Sequence, residues 1–103
     1  MNGPDARPLD GFRIIEVGQL LAGPFVGCIL GYFGAEVIKI ESPGDGDPIR
    51  KWRVLDDSGT SWWWHSLGRN KKCVTANLRS EQGQAIVRQL IEKADAVVEN
   101  FRP

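Results

Sequence analysis

The sequence predicts an α/β fold built on a mainly parallel sheet with flanking helices. Three observations carry this. Short runs rich in β-branched residues recur at 12–17, 36–41, 73–78 and 96–100. Helical segments fall between the first two of these runs (24–33) and between the last two (81–94). The resulting order, β-α-β, an irregular stretch, then β-α-β, is the alternation of a sheet covered by crossover helices. With 103 residues there is room for one domain at most. A composition of 42% hydrophobic and 25% charged residues is ordinary for a globular domain and excludes a disordered chain.

Residues 1–8 read as a disordered lead-in. Phe12–Val17 (FRIIEV) is the first strand, and Gly18–Pro24 (GQLLAGP) turns out of it. Pro24 suits the first helical position, where a missing N–H costs nothing. The helix over 24–33 is apolar nearly all round, which implies burial, and Gly34 follows as a left-handed stop. Glu36–Glu41 (EVIKIE) is the second strand. This strand-helix-strand unit implies a parallel pair joined by a right-handed crossover. Ser42–Pro48 (SPGDGDP) is dense in turn residues. The stretch 49–70 is irregular, with a short helix in SWWWHSLGRN. Cys73–Leu78 (CVTANL) is the third strand. Ser80 N-caps a helix over 81–94, whose Ile86, Val87, Leu90, Ile91 and Ala94 form an apolar stripe, with Lys93 at its last turn. AVVEN closes the sheet, and Glu99–Pro103 leaves from its carboxyl end, the edge where open α/β sheets bind ligands. The whole reads as a Rossmann-like arrangement.

The formal net charge is zero but unevenly spread. Residues 1–49 carry seven acidic and three basic side chains, residues 50–79 two acidic and seven basic, and residues 80–103 four acidic and three basic. A local basic block suits a small polyanion or a solvated face alike, whereas a long nucleic acid selects a domain basic overall. Cys28 and Cys73 sit in apolar surroundings and read as buried thiols in a reducing compartment; no C-x-x-C metal spacing occurs. MNGPDARP lacks the order of a signal peptide. The apolar stretch Leu20–Ala35, broken by Pro24 and glycines, falls short of the roughly 20 residues that cross a bilayer. The expected location is cytoplasmic, without membrane or nucleic-acid partners.

Gly18, Gly23, Gly27 and Gly31 match neither G-x-G-x-x-G nor G-x-x-x-x-G-K-[ST]. Gly27 and Gly31 lie one helical turn apart and read as a close-packing face. Gly18–Gly23, between a strand end and a helix start, is the better ligand loop, with backbone N–H groups free for an anion or carbonyl. Asp45 and Asp47 make a turn rather than a calcium loop, since the later ligands are missing. No metal site is expected. His65 is the one histidine; Ser58, Ser61 and Ser66 lie nearby without a nucleophile-elbow pattern, and Trp62–Trp64 reads as a lid or subunit contact. Arg69–Lys72 (RNKK) and Arg79 offer a phosphate clamp of low specificity on their own.

LDGFRIIEVGQLLAGPF, LGYFGAEVIKIESPGDGDPIR, GRNKKCVTANLRSEQGQ and KADAVVENFRP, in this order and spacing, resemble the family III CoA-transferases of the formyl-CoA and carnitine CoA-transferase type. The resemblance covers nearly the whole chain from Leu9. It implies exchange of CoA between an acyl-CoA and a carboxylate, through attack of an aspartate on the thioester. Coenzyme A or acyl-CoA is then a substrate, with no covalently bound cofactor. The resemblance places Gln19, Leu20, Leu21 and Ala22 along the thiol arm, Ser42 near the adenine in place of a frequent arginine, and Ala76, Asn77, Leu78 and Arg79 beside the nucleotide. Asn100, Phe101 and Arg102 match a further CoA-contacting turn. The nucleophilic aspartate of the family matches no position here. The expectation is a truncated N-terminal segment over 9–103, inactive alone, whose partner is a second copy or the remaining part of the same enzyme. The acyl-CoA racemase branch, a stand-alone CoA or nucleotide-binding module, and an oligomerising structural fragment are the alternatives.

Overall fold

The computed structural model describes residues 5–103. Its elements are β1 (Arg13–Glu16), α1 (Ala22–Tyr32), β2 (Glu36–Glu41), a 3-10 turn (Pro48–Lys51), α2 (Trp62–Leu67), β3 (Lys71–Thr75), α3 (Glu81–Glu92) and β4 (Ala96–Val98). The four strands form one sheet in the order β3-β2-β1-β4, and every neighbouring pair is parallel. All four carboxyl ends therefore emerge along the same edge. Of the expected lead-in, residues 1–4 lie outside the described residues. Asp5–Pro8 is exposed, with the Arg7 backbone and guanidinium both bonded to the Asp10 carboxylate.

Side chains alternate between the two faces of the sheet. On one face Ile15, Ile38 and Ile40 pack with Ala76 and with Val87 of α3. On the other, Ile14 and Val37 pack with Ala35, backed by Leu9, Leu30 and Val98. Beyond α1, Cys28, Ile49 and Leu67 form a third buried group with Leu20 and Trp64 against it.

The structure corrects several sequence expectations. Helix α1 begins two residues earlier than expected, so Pro24 stands at its third position. Its missing N–H remains harmless there, because the first four amides of a helix have no intrahelical acceptor. Apolar composition did not bury α1 on all sides. Gly23, Pro24, Gly27, Cys28 and Gly31 are its buried residues, and the glycines, Gly27 over Glu16 and Gly31 over Val37, let the helix sit low on the sheet. The large residues are displaced outward: Phe25 is 55% exposed and Phe33 50%. Gly34 ends the helix at φ 108° as expected, its N–H donating to the Gly31 carbonyl.

Strand β3 starts two residues earlier than expected and ends at Thr75, because its register is set by pairing with Val37–Glu41. The chain then turns, Ala76 N–H donating to the Glu41 carbonyl at 3.0 Å. Cys73 lies on this edge strand and is exposed, unlike Cys28. Ser80 caps α3 as expected, its hydroxyl accepting from Gly83 N–H at 3.0 Å. The helix stops at Glu92, and its buried line is Gly83–Val87 with Leu90 and Ala94 packed behind. Ile86 and Ile91 flank that line and remain exposed. The closing strand is only Ala96–Val98, held to the loop after β1 by Val17 N–H on the Val98 carbonyl.

Candidate functional site

Two adjoining cavities open along the carboxyl edge. One, about 620 Å³, is lined by Val17, Gln19, Ile40, Glu41, Ser42, Asn77, Leu78, Arg79 and Phe101. The other, about 520 Å³, is lined by Gln19, Leu20, Leu21, Ala22, Trp52, Asn100, Phe101 and Arg102. Gln19 and Phe101 line both and form the ridge between them. Every residue that the resemblance placed at coenzyme A lines one of the two cavities except Ala76. Its side chain is buried under α3, so its part is to carry Asn77 out to the edge. Sequence reasoning missed Trp52, Glu41, Val17 and Ile40, whose places in the lining follow only from the folded strand ends.

The loop after β1 is not an open row of donors. Gln19 N–H donates to Asn100 Oδ1 at 2.8 Å, and Asn100 Nδ2 donates back to the Gln19 carbonyl at 3.0 Å. Leu20 N–H donates to Asp47 Oδ1 at 3.0 Å. The expectation of free amides at these two residues is therefore corrected: side chains from distant segments already take them.

Beneath α1 lies a buried ionic network. Glu16 meets Lys39 Nζ at 2.6 Å and Lys71 Nζ at 2.7 Å, and Asp47 meets Lys39 Nζ at 2.7 Å. Lys39 also donates to the Gly18 carbonyl at 3.3 Å, and Lys71 to the Pro24 carbonyl at 2.8 Å. The side chains of Glu16, Lys39 and Lys71 are fully buried. Two carboxylates and two ammonium groups balance, which is the condition for keeping charge in an interior. Burial pulls both lysines toward neutrality. At Lys39 the two carboxylates outweigh it and hold the ammonium charged above its usual range. At Lys71 burial dominates over Glu16 and lowers the pKa. Gly27 closes the top, since a Cβ there would overlap Glu16 Oε1.

Residues 9–103 match the profile of CoA-transferase family III. The chain belongs to CoA-transferase family III. It is 54% identical over 97 residues to succinyl-CoA--D-citramalate CoA-transferase of Chloroflexus aurantiacus, covering 94% of this chain and 24% of that one. The human succinyl-CoA:glutarate CoA-transferase is 40% identical over 97 residues, covering 94% and 22%. Among solved structures, a CAIB/BAIF family protein from Brucella suis superposes with a TM-score of 0.83 at 42% identity, over 93% of this chain and 26% of that one. A hypothetical protein of Mycobacterium tuberculosis gives 0.85 at 41%, over 95% and 26%. The chain thus spans about a quarter of the length of the relatives it matches. Among the described residues, no helix is long and apolar enough to cross a membrane.

In this family III segment the basic block of residues 50–79 is mostly spent on internal partners. Arg50 forks onto Glu41 with two bonds of 2.7 Å, Lys72 meets Glu36 at 2.6 Å, and Lys51 donates to the Gly59 carbonyl. Arg69 bonds the Tyr32 hydroxyl, at the amino end of β3. The RNKK clamp is therefore corrected: Lys71 is sealed inside, and Arg69 and Lys72 pair away from the cavities. From this block only Arg79 lines the larger cavity, while Arg102 lines the other.

The remaining candidates resolve into structure. Asp47 caps the 3-10 turn through Ile49 N–H. Among the described residues no cluster of three or more His, Cys, Asp or Glu is placed for a metal. His65 Nε2 lies 2.7 Å from Asp56 Oδ2, and Ser58 Oγ donates to Asp56 Oδ1 at 2.6 Å. Serine and histidine both meet the carboxylate, so no histidine stands between nucleophile and acid. Ser61 N-caps α2, Trp64 takes the Arg50 guanidinium over its ring at 3.9 Å, and Trp62 and Trp63 remain exposed.

Glu41, on the rim of the larger cavity, carries a pH dependence. Burial pushes its carboxyl upward, but the Arg50 fork, the Asp47 N–H and the Arg50 charge prevail and lower it from 4.5 to about 2. Because the folded value is the depressed one, the stabilisation is complete above about pH 4.5 and is lost as the pH falls toward 2. It amounts to about 3 kcal/mol at neutral pH. In urea titrations the stability gap between the protein and Glu41→Gln is expected to close over that interval. A gap independent of pH would contradict the assignment.

Proposed function

We propose that the twin cavities bind the coenzyme A portion of an acyl-CoA, and that the chain is the CoA-binding N-terminal segment of an enzyme moving CoA between an acyl-CoA and a carboxylate. The observation that carries this reading is that four separate strand ends bring the expected CoA residues to one edge, within a chain of this family. Succinyl-CoA is the proposed donor, since the two relatives compared above are named for it.

In this reading Gln19–Ala22 lies along the pantetheine and thiol arm, where Leu21 and Phe101 supply apolar contact and Leu20 contributes its backbone. Ser42 and Asn77–Arg79 border the nucleotide end, with the Arg79 guanidinium as the phosphate partner. The parallel sheet fixes these groups on rigid strand ends, so the cradle is formed before the ligand arrives. The nucleophilic aspartate that the resemblance implies lies outside the positions matched here. The segment therefore holds and orients the thioester, and acyl transfer is completed by residues it does not contain. The exposed outer face of α1, with Phe25 on it and Phe33 just past its end, is the surface through which it meets those residues, in the same enzyme or in a second copy.

Calorimetric titration with CoA tests the reading. Saturable binding is expected, and Arg79→Ala is expected to weaken it about tenfold, the worth of one charge-assisted contact of about 1.4 kcal/mol. A flat titration of the unaltered protein would leave only the structural-fragment reading. Unchanged affinity in Arg79→Ala would discard the phosphate role of that residue.

A further inference from the structure

We propose that Asn100 is a positioning residue whose carboxamide sets the Gln19 peptide, and with it the shape of the loop that divides the two cavities. The family resemblance places Asn100 at a CoA-contacting turn. The geometry points to a different task for its side chain. Its Oδ1 accepts from Gln19 N–H at 2.8 Å and its Nδ2 donates to the Gln19 carbonyl at 3.0 Å, a two-bond clamp between segments 81 positions apart. Both polar ends of the carboxamide are engaged by one backbone residue.

The surroundings are shaped to admit this clamp. A Cβ at Gly18 would overlap Asn100 Oδ1, and one at Gly23 would stand 2.8 Å from it. Neither glycine has a positive φ, so conformational freedom does not explain their presence; the close approach of the carboxamide does. These are two of the glycines that the sequence offered as a ligand loop.

The next residue shows why the loop requires holding. Leu20 has φ 60°, a left-handed conformation that a branched side chain adopts only when its surroundings impose it. Asn100 holds the carbonyl of the Gln19–Leu20 peptide that precedes it. Asp47, itself held by Lys39, takes the N–H of the same peptide. With both polar atoms of that peptide pinned, Leu20 turns its side chain toward Cys28, Ile49 and Leu67, and Gln19 is left on the ridge shared by both cavities. Asparagine alone offers an acceptor and a donor at this reach. An aspartate would set a second oxygen against the Gln19 carbonyl, and an alanine would offer nothing.

The inference rests on the ligand reading only for what the loop serves, because the clamp itself is measurable without ligand. Amide hydrogen exchange followed by NMR on the full chain is the test. Gln19 N–H is expected to be protected, and Asn100→Ala to speed its exchange at least tenfold while Ile15 and Ile38 amides are unchanged. Asn100→Asp, which keeps the acceptor and loses the donor, is expected to fall between the two. Gly18→Ala, which expels the carboxamide, is expected to mimic Asn100→Ala, and the double variant to exchange at Gln19 no faster than either alone. Gln19 exchange indifferent to Asn100→Ala, or additive effects of the two substitutions, would overturn the proposal. With CoA as the probe, Asn100→Ala is expected to raise Kd about tenfold; if the unaltered protein binds no CoA, the ligand reading fails while the exchange data still decide the clamp.

Discussion

Lys39→Ala is expected to destabilise the protein by about 3–5 kcal/mol, the cost of breaking a buried ion pair by removing one partner. Lys39 neutralises two carboxylates at once, Glu16 at 2.6 Å and Asp47 at 2.7 Å. Without it Glu16 retains Lys71, but Asp47 is left buried with no cation in reach. The loss compares with the whole stability of a small domain, about 5–15 kcal/mol. At roughly 4–8 °C per kcal/mol for a chain of this size, the midpoint of thermal unfolding falls by well over 10 °C. Lys72→Ala supplies the contrast. Its pair with Glu36 has a similar length, 2.6 Å, but the lysine side chain is 70% exposed. An exposed pair contributes about 0–1 kcal/mol, so this variant is expected to melt within a few degrees of the parent. Equal losses for the two lysines, measured by thermal or urea unfolding, would contradict the burial argument.

Gly83→Ala is expected to cost about 2–4 kcal/mol and to weaken CoA binding together with stability. Gly83 is the third residue of α3, and a Cβ there would overlap the Asn77 carbonyl oxygen, with Asn77 C at 2.6 Å and Asn77 N at 2.9 Å. The obstructing atoms are all backbone, so no rotamer change relieves the contact. Either α3 lifts from Ile38 and Ile40 or the Asn77–Arg79 turn moves outward. The second response displaces one wall of the larger cavity, which couples helix packing to the site. Gly44→Ala is the control for a new side chain at a glycine, since a Cβ there meets nothing within 4 Å. Gly44 has φ 86°, so its cost is backbone strain alone, about 1–2 kcal/mol, without effect on CoA. Unfolding midpoints and calorimetric Kd values for the two variants separate the effects. Gly83→Ala with parental affinity would show that the Asn77 turn stays in place.

Much of the fold was legible because local pattern and tertiary role agree there. Ile14 and Ile15, or Val37 and Ile38, are apolar on both faces of a sheet that is covered on both sides. Strand β3 was harder to delimit. Lys71 and Lys72 read as loop charge, yet one is interior and the other pairs along the sheet edge. The buried network was not legible in the strands themselves, because the charges of Glu16, Lys39 and Glu41 read locally as a solvated face. A signal did exist. Gly23, Gly27 and Gly31 recur every four residues and give α1 a face without side chains. Long polar side chains from the strands, such as Glu16 beneath Gly27, fill the space under that face.

The candidate site divides along similar lines. The residues carried over from the resemblance converge at one edge because they follow the ends of parallel strands, a consequence of topology that the strand order makes visible. The engagement of Gln19 by Asn100 and of Leu20 by Asp47 was not legible. Each joins segments far apart in the chain, and an asparagine or aspartate in a loop reads locally as a turn former. The charge asymmetry was legible as a fact but not in its meaning. The acids of the first half and the bases of the middle find one another in the fold, as Glu41 finds Arg50 and Glu16 finds Lys71.

The central claim is that the carboxyl edge of the sheet receives coenzyme A. Mapping amide chemical shifts during a CoA titration tests it most directly. Saturable shifts are expected at Gln19, Asn77, Leu78, Arg79 and Phe101, the backbone that borders the two cavities. Shifts confined to the opposite edge, around the cavity lined by Phe12, Arg13, Glu36 and Lys93, or no shifts at saturating CoA, would contradict it.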